Sequence, residues 1–299
     1  MSRARAPGKL VLSGAYAVLS GAPAIVVAVD RYALADSSLP PGFLTPEVQA
    51  ALGERPAPWF DASELRENGQ KLGLGSSAAI LVASLAALEL DAEPGLSDAA
   101  LCARVYPRAL VAHRSAQGGG SGVDVAASAH GGALAAVRTG NELSLTPIRL
   151  PSALHFAVWA CSASASTAAF LALVDELARR EPALHRARIG AQAEAARVAR
   201  SAAESDDAPA FVQAIARQVT TLTELGLAAG AAIVTKELAE LAQLAAGLGS
   251  AFLPAGAGGG DVAYWVGLGM PPPEFAARAR ELGLAPVALR LAARGVHAV

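Results

Sequence analysis

The residues able to do chemistry in this chain gather around glycine-rich loops. The run Lys71-Leu-Gly-Leu-Gly-Ser-Ser-Ala-Ala-Ile-Leu81 sets a polar, glycine-spaced loop directly against a long apolar segment, which is the outline of an anion site. Gly73 and Gly75 let backbone N–H groups approach a ligand with no Cβ in the way. A helix starting near Ser76 or Ser77 adds roughly half a positive charge at its N-terminus. A phosphate chain is the ligand such a loop suits; a serine-capped core helix that binds nothing is the alternative. Two more glycine-dense stretches carry an acid, Gly118-Gly-Gly-Ser-Gly-Val-Asp124 and Gly256-Ala-Gly-Gly-Gly-Asp261. One polyanion approached by backbone from several sides accounts for all three. Lysine occurs only at positions 9, 71 and 236 among many arginines, so its use at position 9 suggests a need there for a compact ammonium. The alternatives are a surface charge for Lys9 and, for Asp124, a loop acid capping backbone N–H groups.

Two familiar phosphate motifs compete for the loop at 73–78. The pattern G-x-x-x-x-G-K-[ST] is absent. Gly73-Leu-Gly75-Ser-Ser-Ala78 does fit the dinucleotide fingerprint G-x-G-x-x-A, with Asp91 near the distance of a ribose acid. The context fails, because Glu67-Asn-Gly-Gln-Lys71 is a polar approach and not the hydrophobic strand that fingerprint requires.

Composition narrows the class. The chain has 299 residues, 53% apolar and 17% charged, which fits one large or two ordinary globular domains. A net charge of −2, no blocks of Lys or Arg and few aromatics give no footprint for nucleic acid. Cys102 and Cys161 are too few for a disulfide framework or a zinc site, so a reducing cytoplasm is expected. Arg3, Arg5 and Lys9 before the uncharged run Leu10–Val29 imitate a signal peptide or membrane span, but Gly14, Ser20, Gly21 and Pro23 punctuate it as strand, turn, strand. The histidines at 130, 155, 185 and 297 show no metal-ligand spacing.

The elements that must position these groups follow from periodicity. A turn at Pro7-Gly8 feeds a short strand to Gly14. Residues 24–30 read as a buried strand, with 32–38 as its hairpin partner. A short helix is expected at Pro46–Leu52, a buried one from Ala78 to Leu90, and a third from Asp98 to Gln117 capped by Ser97. The second glycine loop extends to Gly132. Strands are expected at 132–137, 143–148 and 155–161. Alanine-rich helices fill most of 168–248, broken at Pro182, Asp206–Pro209 and Ala228–Gly230. Strands at 251–253 and 262–266, a helix from Pro273 and a strand at 286–291 close the chain. Pro151 marks a boundary, giving domains 1–152 and 153–299. Strands and helices mix without regular alternation, which argues α+β.

Ala6-Pro-Gly-Lys-Leu10, Gly73-Leu-Gly-Ser-Ser-Ala-Ala79 and Gly256-Ala-Gly-Gly-Gly-Asp261 resemble, in order and spacing, the three motifs of the GHMP small-molecule kinases. Within that superfamily, Tyr16-Ala-Val-Leu, Ala28-Val-Asp-Arg31, Ala116-Gln-Gly-Gly-Gly-Ser-Gly-Val-Asp-Val-Ala126, Trp159 and Ala165-Ser-Thr167 most resemble phosphomevalonate kinases. The resemblance implies a two-domain α+β fold, with a half like ribosomal protein S5 domain 2 followed by a ferredoxin-like half. It implies ATP-dependent phosphoryl transfer to 5-phosphomevalonate. Gly73, Gly75, Ser76, Ser77 and Ala78 would hold the ATP phosphates, with Ser77 near Mg²⁺, and Lys9 and Asp124 would be catalytic. Acceptor contacts fall to Tyr16, Ser121, Gly258 and Gly259 by resemblance. His113, Arg114, Ser164 and Ser166 join them by position, against the alternative of a solvated helix end and simple helix capping.

The chain departs from the family at three places. Ala15 stands where an acid commonly follows the first-motif glycine, Gly119 where a lysine tends to sit in the second loop, and Leu253 where lysine often precedes the third motif. A phosphorylated acceptor needs cations, each charge-assisted contact contributing about 1.5–3 kcal/mol. Either arginines such as Arg114 substitute, or the acceptor is mevalonate or another less anionic hydroxy acid. A non-catalytic homologue that binds nucleotide is the rival of another class. The alanine-rich helices fit a monomer or a homodimer.

Overall fold

The computed structural model describes residues 2–40, 42–67, 69–162 and 166–299. In chain order its strands and helices are β1 (Arg3–Ser13), β2 (Pro23–Asp36), α1 (Pro46–Leu52), β3 (Trp59–Asp61), β4 (Arg66–Glu67), β5 (Gln70–Lys71), α2 (Ser76–Ala92), α3 (Asp98–Ala116) and α4 (Val123–His130). These are followed by β6 (Ala133–Thr139), β7 (Glu142–Ile148), β8 (His155–Ala160), α5 (Thr167–Arg180), α6 (Pro182–Glu204), α7 (Ala208–Ala229) and α8 (Lys236–Gly247). The chain ends with β9 (Ala251–Pro254), β10 (Val262–Gly267), α9 (Pro273–Glu281), β11 (Ala285–Val287) and β12 (His297–Ala298). One sheet runs β12-β1-β2-β6-β7 with β3 on β2, a second runs β11-β8-β10-β9, and β4 pairs with β5 alone. This is the expected α+β class. No helix among the described residues is long and apolar enough to cross a membrane.

Packing separates the chain into two compact units, residues 1–10, 26–134 and 289–299, and residues 11–25 and 135–288. The division cuts β1, β2 and β6 internally, whereas the boundary near 152 expected from Pro151 describes order along the chain.

In the first unit α2 is buried without a break from Ala78 to Ala87, as a helix apolar on every face must be. Helices α1, α3 and α4 and strands β3 and β12 pack around it. That enclosure fixes where its N-terminus lies. Ser97 caps α3 by accepting the N–H of Ala100, and Thr45 caps α1 by accepting that of Val48.

Several sequence expectations are corrected here. β1 runs straight through Pro7-Gly8. Its ladder with β12 involves only Ala4 and Arg5, so on that side proline's missing N–H lies beyond the pairing. Gly8 serves close approach instead of a turn, since a Cβ there would lie 2.8 Å from the carbonyl oxygen of Leu74. Residues 23–36 form a single strand and not a hairpin. Asp30 at its middle is held by the side chain and backbone N–H of Arg290, and Leu34–Asp36 pair with β3. The second glycine loop stops at Gly122, because Val123-Asp-Val-Ala-Ala-Ser-Ala-His130 forms α4. The expected strand 286–291 is only β11, with Leu291 making an isolated bridge to Val29, and β12 was not foreseen.

In the second unit the four-stranded antiparallel sheet carries an aromatic cluster in which Phe275 meets Trp159, Phe252 and Trp265 edge to face. Gly14, at φ +78°, leaves no room for a side chain: a Cβ would sit 2.2 Å from the Pro23 carbonyl oxygen. Left-handed backbone and overpacking together predict that Gly14→Ala loses roughly 2–5 kcal/mol of stability. Chemical denaturation measures this, and a variant as stable as the parent would refute the close approach.

Candidate active site

The first unit gathers most of the expected residues around the start of α2. Gly73 (φ +66°) and Gly75 (φ +75°) adopt backbone that L side chains rarely take, and Gly75 ends the loop as the residue before α2. No side chain caps that helix start, so its first N–H groups, on Ser76, Ser77 and Ala78, are not met by a capping side chain. The loop is pinned to β1 by the Lys9 N–H, which donates to the Leu74 carbonyl at 2.9 Å.

Lys9 is buried, and its side chain is only 9% exposed. Its ammonium donates to the Gly73 carbonyl at 3.3 Å and lies 3.6 Å from Asp124 Oδ2, whose side chain is 32% exposed. Gly75 sits against both: a Cβ there would be 3.0 Å from Lys9 Cε and 3.5 Å from Asp124 Oδ2. Lys9, the glycine loop and Asp124 thus share one locus, although they come from β1, the segment before α2 and the first turn of α4. A buried ammonium with long, incomplete contacts favours an additional anion.

Asp124 reaches that locus because α4 begins where it does. Gly118, Gly119, Gly120 and Gly122 all have positive φ, and Gly122 (φ +82°) precedes α4, again with no side-chain cap. A Cβ on Gly122 would strike Leu110 Cδ1 at 2.3 Å. Arg114 donates to the Ser121 carbonyl at 3.1 Å, and Ser121 Oγ accepts the Val123 N–H at 3.4 Å. Two helix N-termini, an ammonium and a carboxylate make an arrangement able to hold a phosphate chain and to handle a proton beside it.

Ser77 Oγ stands 3.4 Å from His113 Nε2 and accepts from Gln117 Nε2 at 3.3 Å. The same Gln117 nitrogen donates to Glu47 Oε1 at 3.0 Å. His113 is buried, and desolvation lowers its pKa against the opposing pull of Asp124 and Glu47. Sequence reasoning missed Glu47 and passed over Gln117. Glu47 lies in the first turn of a short helix with no motif around it, and only folding brings it here.

In the second unit Tyr16 is buried and its hydroxyl donates to the Ala257 carbonyl, while burial raises its pKa. Gly259 N–H donates to the Ile233 carbonyl at 2.8 Å, and Gly258 (φ +84°) lies so close to that carbonyl that a Cβ would be 2.2 Å away. Tyr16, Gly258 and Gly259 therefore spend these groups on holding the third glycine loop. Gln218 of α7 bridges Ser13 Oγ and the Gly14 N–H at 2.8 and 2.9 Å. Ser166 is exposed and caps α5 by accepting the Ala169 N–H. Ser164 lies outside the described residues.

Residues 63–132 match the family model for the GHMP kinases N-terminal domain. The chain is 28% identical to a phosphomevalonate kinase of Streptomyces sp. (strain CL190), covering 86% of this chain and 87% of that protein. Among solved structures, it is similar to a protein from Listeria innocua (TM-score 0.82, 23% identity, 99% of each chain). It is also similar to Streptococcus pneumoniae phosphomevalonate kinase in complex with phosphomevalonate and AMPPNP (TM-score 0.77, 17% identity, 97% of this chain and 100% of that one). At such identities these structures show the fold. The resemblance to GHMP kinases, and among them to phosphomevalonate kinases, is borne out.

Proposed function

We propose that this chain, which carries a GHMP kinase N-terminal domain on a GHMP kinase fold, is an ATP-dependent kinase that converts 5-phosphomevalonate to 5-diphosphomevalonate in isoprenoid synthesis. The observation that carries the reading is the meeting of Lys9 with Asp124 and with the Gly73 carbonyl beside the uncapped start of α2. Gly73, Gly75, Ser76, Ser77 and Ala78 bind the ATP phosphates through the loop and the first N–H groups of α2. Lys9 neutralises charge on the oxygens of the phosphoryl group in flight. Asp124 orients the acceptor's 5-phosphate oxygen, and takes its proton when the monoester arrives singly protonated, as that oxygen bonds to the γ-phosphorus and the bond from γ-phosphorus to ADP breaks. Mg²⁺, when bound, screens the phosphate charges, and the Ser77 hydroxyl suits it as an oxygen ligand. We assign the enzyme to the cytoplasm.

On the acceptor side, Arg114 beside the second loop supplies the cation that Gly119 does not. Within the second unit, Tyr16, Gly258 and Gly259 hold the third glycine loop, with Tyr16 as a clamp. Absence of an acid at Ala15 and of lysines at Gly119 and Leu253 favours, as a second reading, mevalonate or another small hydroxy acid. An assay coupling ADP release to NADH oxidation, run over mevalonate, 5-phosphomevalonate and homoserine, decides between them. Phosphomevalonate should give the highest kcat/KM. Turnover confined to unphosphorylated acceptors would reject the first reading, and nucleotide binding with no turnover on any acceptor would favour a non-catalytic homologue.

A further inference from the structure

Glu47 is a buried carboxylate that neither the sequence motifs nor the phosphate-binding loop accounts for. It lies in the first turn of α1, and its Oε1 accepts from Gln117 Nε2 at 3.0 Å, just past the end of α3. An ionised carboxylate only accepts hydrogen bonds, so it turns the NH₂ face of the glutamine amide inward. The second N–H of that nitrogen reaches Ser77 Oγ at 3.3 Å. Gln117 itself is exposed, yet its orientation is dictated from the buried side.

A serine hydroxyl has one proton and two lone pairs. Gln117 occupies one lone pair. His113 Nε2, 3.4 Å away, receives the proton in the tautomer that carries its own hydrogen on Nδ1. What Ser77 then offers a ligand is its remaining lone pair, which suits a cation and not a phosphate oxygen. We propose that Gln117 and Glu47 are positioning residues that fix Ser77 as an acceptor, so that its oxygen meets a divalent cation accompanying the phosphate chain. The inference deepens the kinase reading above and rests on it.

Calorimetric titration of ADP, with saturating Mn²⁺ and again in excess EDTA, separates the contributions. Gln117→Leu, which keeps the bulk and removes the donor, should weaken binding of the Mn²⁺ complex by about 10-fold or more and leave metal-free ADP unchanged, as loss of an outer-shell partner does. Glu47→Leu should do the same, and Glu47→Gln, which retains an acceptor oxygen, should keep most of the metal preference. The relay is overturned if Gln117→Leu weakens both titrations equally or neither. It is also overturned if Glu47→Gln loses as much metal preference as Ser77→Ala, because Glu47 would then itself be a ligand. Should Gln117→Leu fail to fold, the comparison of Glu47→Gln with Ser77→Ala decides alone. Wild-type protein that binds ADP without metal preference refutes the relay and spares the kinase reading, whereas wild-type protein that binds no nucleotide refutes the kinase reading and the relay with it.

Discussion

Asp124→Asn is expected to lower kcat by roughly 10²–10⁴ while leaving the protein folded. Asparagine matches aspartate in shape but neither carries the charge that faces Lys9 Nζ at 3.6 Å nor accepts a proton from the acceptor oxygen. A purely structural role would show differently. An acid in the first turn of a helix contributes about 0.3–1 kcal/mol through the helix dipole, and Gly122, not Asp124, is the capping residue of α4. Stability should therefore fall by that amount together with the loss of the countercharge to buried Lys9, and turnover by orders of magnitude. A variant that turns over at the wild-type rate would remove Asp124 from the reaction. The pH–rate profile then distinguishes its two roles: loss of the acidic limb marks a general base, and an unchanged profile at reduced kcat marks an orienting group.

Lys9→Ala should cost on the order of 10²–10³ in kcat, the loss found when one fixed group is withdrawn from developing charge. The ammonium is held by the Gly73 carbonyl and faces Asp124, which places it beside the phosphate loop. Lys9→Met separates chemistry from packing. It keeps the stem, so it should be more stable than Lys9→Ala yet equally slow. Lys9→Arg should not restore the rate, because the lysine stem runs so close to Gly75 that even a Cβ there would be 3.0 Å from Lys9 Cε, and the planar guanidinium needs more room. Full activity in Lys9→Met would show that only the stem matters.

Local pattern made much of the chain legible. The apolar run after Ser77 reads as a helix because nothing in it is charged until Glu89, and α2 does span Ser76–Ala92. Ser97 announces α3 by chemistry confined to four residues, and the breaks at Pro182, Asp206–Pro209 and Ala228–Gly230 mark the ends at which α5, α6, α7 and α8 start or stop for the same reason. The glycine loops were visible as composition. What they face was not.

Tertiary structure decided the rest, wherever a residue's conformation or partner depends on a distant segment. Pro7-Gly8 has the composition of a turn, but the loop carrying Leu74 comes so close to Gly8 that the segment stays extended within β1. Asp30-Arg31 looks like a strand end until Arg290, some 260 residues later, satisfies Asp30 and lets β2 continue. Glu47 and Gln117 carry no signature, because a carboxylate and an amide 70 residues apart acquire meaning only when α1 and α3 pack on α2 and set them at Ser77. Sequence alone fixed the helices and glycine turns, whose hydrogen bonds close within a few residues. The partners of Lys9, Tyr16 and Ser77 came from long-range packing, which no local pattern encodes.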